Sequence, residues 1–130
     1  MGRILLVEDD DLARGYFRRL LEGAGHSVVE AADGGRAVRT FREGGIDLVV
    51  TDIFLPVMSG LDALVEMDPK SAGVPVIALP GGGQGTGAYP LELARSLGAS
   101  AVFLKPFDVP AFLAAVGELL RKGPREKGPE

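Results

Sequence analysis

Short apolar runs alternate along the chain with longer stretches in which apolar residues recur at helical spacing. The runs Ile4–Val7, Ser27–Ala31, Ile46–Thr51, Val74–Leu79 and Ala101–Leu104 each predict a strand. Most of them are continuously apolar rather than alternating, the pattern of strands covered on both faces. Between them the spacing predicts helices over Asp11–Ala24, Gly35–Glu43, Ser59–Met67, Pro90–Leu97 and Val109–Arg121. On the first, Leu12, Tyr16, Phe17, Leu20, Leu21 and Ala24 form the apolar face, and Gly25 is a stop signal. On the second, Ala37, Val38 and Phe41 point inward, Asp33 caps the start and Gly44-Gly45 ends it. The third ends before Pro69. The last is capped by Asp108 and carries Pro110 in its first turn, where proline is tolerated. Strand then helix, five times over, predicts an α/β doubly wound fold: a five-stranded parallel sheet with helices on both faces.

Composition narrows this picture. A chain of 130 residues is one domain in size. We expect it over 1–122, with the Gly-, Pro- and charge-rich segment 123–130 a disordered tail or linker stump. With 14 basic and 18 acidic residues the net charge is −4, which argues against a nucleic-acid module. The absence of cysteine excludes a disulfide scaffold and thiolate metal sites, and fits a cytoplasmic protein. The uncharged stretch Ser71–Leu91 is broken by Pro75, Pro80, Pro90 and a glycine cluster, so no membrane span is expected.

In a parallel sheet all strands end at one edge, and ligands bind there. Glu8, Asp9 and Asp10 follow the first strand, Asp52 follows the third and Lys105 the fifth. Converging acids repel one another unless a cation joins them or their pKa values rise. A hard, oxygen-rich site with open positions suits Mg²⁺, which often bridges to phosphate. Asp52 has the chemistry of a carboxylate nucleophile toward a phosphoryl group. Lys105 suits either a partner for Asp52 or a contact to a phosphoryl oxygen. Each residue also has a plainer reading. Acids after a strand serve as helix caps and first-turn charges, the reading favoured for Asp10 and Asp11. A lysine before Pro106 suits a surface turn. Asp52 is the least ordinary, because an acid beside Ile53, Phe54 and Leu55 is costly unless paired.

These residues resemble the receiver domain of two-component response regulators over about residues 3–121. The likeness rests on ILLVEDDD (4–11), DIFLPVMSG (52–60), PVIAL (75–79) and LGASAVFLKPF (97–107). It implies the flavodoxin-like strand order 2-1-3-4-5. It further implies that Asp52 is the phosphoacceptor, that Asp9 binds Mg²⁺ directly with Glu8 beside it, and that the backbone carbonyl of Phe54 is a further ligand. Lys105 and the backbone amide of Gly81 would contact the phosphoryl group. The implied partners are a histidine kinase or a histidine phosphotransfer protein, with output by protein–protein contact and no nucleic acid or membrane bound. Such a domain is regulatory rather than an enzyme.

Two positions depart from the family pattern. Pro80 stands where a Ser or Thr is usual, and supplies neither hydroxyl nor N–H. Val102 stands where a switch aromatic is usual, and the neighbouring Phe103 should face the other side of the strand. These departures leave a degenerate, phosphorylation-independent interaction module as the alternative. A flavin- or nucleotide-binding domain is disfavoured, because Glu8-Asp9-Asp10 would repel a phosphate.

The remaining features carry less. The glycine loop 81–87 lacks a nucleotide-loop signature and reads as a flexible switch segment, in which Thr86 could replace the missing hydroxyl. The Phe54 side chain either shields an acyl phosphate or packs beneath the turn. His26 reads as structural, Tyr89-Pro90 as a helix start, and Arg14, Arg18 and Arg19 as a solvated helix face.

Overall fold

The computed structural model describes residues 2–52, 60–79, 99–103 and 108–122. Its elements are β1 (Arg3–Val7), α1 (Asp11–Gly23), β2 (Ser27–Ala31), α2 (Gly34–Arg42), β3 (Leu48–Asp52), α3 (Gly60–Met67), α4 (Pro69–Ala72), β4 (Val76–Leu79), β5 (Ala101–Val102) and α5 (Val109–Lys122). The strands form one parallel sheet in the order β2-β1-β3-β4-β5. The α/β class, the parallel pairing and the order are those expected. The helix predicted over Pro90–Leu97 lies outside the described residues.

Strand alternation divides the core into two layers. Leu5, Val7 and Val49 pack with Ala37, Val38, Ala63, Leu64 and Met67 of α2 and α3. Ile4, Leu6, Leu48, Val50 and Ile77 pack with Leu21 of α1 and with Phe112 and Val116 of α5. β2 and β5, at the two edges of the sheet, are only partly buried, so the expectation of strands covered on both faces holds for the central three.

Local signals set the helix starts. Asp10 accepts from the Ala13 N–H at 2.9 Å, Asp33 from Arg36 at 2.8 Å and Asp108 from Ala111 at 3.0 Å. Asp10 is therefore the cap that the plainer reading favoured. Gly44 and Gly45 both take positive φ in the turn after α2, which a side chain would strain. Asp33→Ala should cost about 1 kcal/mol, and thermal unfolding should register this as a fall in Tm of roughly 4 °C.

Two expectations need correction. Leu12 is 85% exposed and Tyr16 and Ala24 are also exposed, so the buried face of α1 is narrower than its apolar spacing suggested. The third helix ends at Met67, before Pro69, as expected, and a separate turn follows it. Asp68 adopts a left-handed conformation (φ 51°, ψ 56°), and Pro69 then opens the extra turn α4. The strand expected over Ile46–Thr51 is shifted to Leu48–Asp52, that over Val74–Leu79 begins at Val76, and the last is short.

Candidate functional site

The order 2-1-3 makes β1 and β3 neighbours whose chains leave toward different sides of the sheet, the place where open α/β sheets form a crevice. Val7 pairs with Thr51, so the residues that follow at the carboxyl edge are Glu8 and Asp52. Asp9 comes next in the loop to α1. One carboxylate oxygen from each of Glu8, Asp9 and Asp52 lies within 4.8 Å of the others.

Burial makes the cluster chemically unusual. Glu8 is 6% exposed and Asp52 only 1%, while Asp9 is open to solvent. Burial pushes Glu8 up to about 7; a hydrogen bond from the Asp10 N–H opposes the rise, and the Asp52 and Asp9 carboxylates add to it. The Asp10 N–H donates to Glu8 Oε2 at 3.1 Å. Thr51, fully buried, donates its hydroxyl to the Asp52 carbonyl oxygen at 2.9 Å. Two buried carboxylates and one exposed carboxylate, with a proton retained near neutral pH, form a donor set that a hard divalent cation would stabilise. The residues present therefore fit Mg²⁺.

Of the residues expected at the site, the structure brings together Glu8, Asp9 and Asp52. Lys105, Gly81, Pro80, Thr86 and the Phe54 carbonyl lie outside the described residues, as do Tyr89-Pro90 and segment 123–130. Val102, the last residue of β5, is half-buried. Phe103 packs toward α5, its ring edge-on to Phe112 with centroids 5.7 Å apart. His26 lies in the turn between α1 and β2, and burial together with the chain N-terminus lowers its pKa.

The reading of α1 as a solvated arginine face is corrected for Arg14. Its side chain is 17% exposed, against 43% for Arg18. Arg14 donates to the Glu8 carbonyl oxygen and to Glu30 and Asp11. Sequence reasoning missed this residue and Glu30. The available signal was position: Arg14 stands one helical turn after the cap Asp10, over the acidic loop.

The response regulator receiver domain family matches residues 4–117. The chemotaxis protein CheY of Halobacterium salinarum is 31% identical over 91% of this chain and 96% of its own length. The transcriptional regulatory protein TcrA of Mycobacterium tuberculosis is 32% identical over 98% of this chain, which spans about half (49%) of that relative. Among solved structures, the receiver domain of a sensor histidine kinase from Pseudomonas aeruginosa superposes with a TM-score of 0.78 at 27% identity, covering 92% of this chain and 98% of the other. That structure is described with a magnesium ion coordinated in the active site cleft. Among the described residues, no helix is long and apolar enough to cross a membrane.

Proposed function

Since the chain belongs to the response regulator receiver domain family of two-component signal transduction, we propose that it is a phosphorylation-dependent signalling module with Asp52 as phosphoacceptor. The donor is a histidine kinase or a histidine phosphotransfer protein, and the output is contact with another protein. The observation that supports this most is the convergence of Glu8, Asp9 and Asp52 at the β1–β3 crevice. Glu8, Asp9, Asp52 and the Phe54 carbonyl would hold Mg²⁺, which when bound neutralises charge on an incoming phosphoryl group.

An Asp52 carboxylate oxygen attacks phosphorus; the new P–O bond forms as the P–N bond of phosphohistidine breaks, and the imidazole keeps the electron pair. Burial of Asp52 removes competing water from the nucleophile. The β3 ladder and the Thr51 hydroxyl on the Asp52 carbonyl fix the backbone from which it projects. Lys105 and the Gly81 amide are assigned to the phosphoryl oxygens.

Intact mass after incubation with acetyl phosphate and Mg²⁺ tests this reading. A single phosphoryl adduct is expected, absent with a chelator and absent from Asp52→Asn. The second reading, a phosphorylation-independent interaction module, draws on Pro80 and Val102. The inward packing of Phe103 against Phe112 is consistent with it, because that ring is committed to the core. Absence of an adduct together with no Mg²⁺-dependent binding of beryllofluoride would favour this second reading.

A further inference from the structure

We infer that Arg14 is a positioning residue: it fixes the Glu8–Asp9 peptide at the acidic pocket, and Glu30 holds its guanidinium in place. The inference rests on the reading of that pocket as a divalent-cation site.

Glu8 ends the ordered ladder of β1. Its N–H donates to the Ala31 carbonyl oxygen at 3.1 Å, which ties it to the end of β2. Its carbonyl oxygen accepts from Arg14 Nη1 at 2.9 Å. The peptide is thus gripped from both sides. The residue that this grip aims is Asp9, which is exposed and lacks the packing that holds Glu8 and Asp52.

The guanidinium is itself held at three points. Besides Glu8, Arg14 donates from Nε to Glu30 Oε1 at 2.6 Å and from Nη2 to Asp11 Oδ1 at 2.7 Å. Glu30 stands on β2, Asp11 opens α1 and Glu8 follows β1, so one planar fork joins the three segments that frame the pocket on this side. Arg18 also bonds Glu30, and is braced in turn by Glu22 at 2.9 Å. Hydrogen bonds from Arg14 first, and from Arg18, hold the Glu30 carboxyl below its ordinary range. A lysine at position 14 has the charge but not the fork, and cannot span the same acceptors.

A merely structural ion pair between α1 and β2 would affect stability alone. The proposed role affects the geometry of the acids. Mn²⁺ is the probe, with free ion read by electron paramagnetic resonance well below the melting temperature. Arg14→Gln and Arg14→Lys should weaken Mn²⁺ binding by about tenfold, as loss of an outer partner of metal ligands typically does. Arg18→Gln should leave binding within twofold of wild type. Amide exchange in the metal-free protein is the second readout: the Asp10 N–H, bonded to Glu8 Oε2, should lose protection in Arg14→Gln while core amides of β1 keep theirs. Mn²⁺ binding by Arg14→Gln within twofold of wild type would overturn the inference. If wild type and Asp52→Asn bind Mn²⁺ equally, the cation reading of the pocket fails instead. The exchange measurement then decides: unchanged Asp10 protection in Arg14→Gln refutes the positioning role, and lost protection supports it.

Discussion

In a chelator at pH 8, Asp52→Asn is expected to melt higher than wild type, and the advantage should shrink as the pH is lowered toward 4.5. Glu8 carries the sign. Its folded-state pKa is raised from 4.5 to about 7, so it binds its proton more tightly in the folded protein than in the unfolded chain. That contribution to stability is complete below about 4.5 and lost as the pH rises through about 7. Burial is the largest cause of the shift, and the Asp52 carboxylate raises it further, both by its charge and by a hydrogen bond. Replacing Asp52 by its neutral isostere removes both of those contributions and leaves burial and the smaller effect of the Asp9 charge.

Other groups titrate nearby in pH. His26, with a lowered pKa, contributes stability that is complete above the ordinary imidazole pKa and is lost as the pH falls below it, and Glu30, also lowered, does the same around the ordinary carboxyl pKa. Both are unchanged by the substitution, so the wild-type-minus-variant difference isolates the pocket. Mg²⁺ should reverse the ranking. A cation at one hundred times its dissociation constant stabilises by roughly 2.7 kcal/mol, or about 10 °C for a domain of this size. Wild type should gain this and Asp52→Asn should lose most of it. Calorimetric scans from pH 5 to 8, with chelator and with Mg²⁺, provide the check. A variant less stable than wild type in chelator at pH 8 would show that the acids are not in conflict.

The second large effect is expected at Phe112→Ala. Phe112 is fully buried on α5. Its ring meets Phe17 of α1 edge-on at 5.9 Å and Phe103 at 5.7 Å, over the layer formed by Ile4, Leu6, Leu48 and Ile77. One side chain thus joins α1, α5 and the residue that follows β5, which stands two positions before Lys105 in the chain. Truncation removes the ring and leaves a cavity among groups that belong to three elements and cannot collapse together. The expected loss is about 3–5 kcal/mol, a fall in Tm of roughly 12–20 °C. Phe112→Leu, which refills most of the volume, should lose about 1–1.5 kcal/mol. Urea unfolding of both variants measures the pair, and a loss under about 1 kcal/mol for the alanine would contradict the described packing.

Much of the molecule is legible in the amino-acid sequence, and the legible parts are those governed by neighbours in the chain. Asp10, Asp33 and Asp108 cap helices because the donors they satisfy lie three residues onward. The span Ser27–Ala31 emerges as predicted, since apolar β-branched residues bounded by turns have few alternatives. The acids of the pocket could be found because a parallel sheet gathers all strand ends at one edge, whatever the strand order.

Tertiary structure decided the rest. Apolar spacing could not tell which part of the α1 stripe is covered: Leu21 packs with α5 and the sheet, while Leu12 and Tyr16 are exposed. Proline chemistry predicts a helix end before Pro69, but not that Asp68 turns left-handed and lets the chain restart. The adjacency of β1 and β3, which sets Glu8 beside Asp52, is a long-range pairing that residue pattern alone leaves open and family likeness supplied. Arg14 shows the division most clearly. Along the chain it is one of several arginines on a polar helix; in the fold its guanidinium reaches a strand end, a neighbouring strand and its own helix start at once. Periodicity fixes which way a residue faces, and only packing fixes what it meets there.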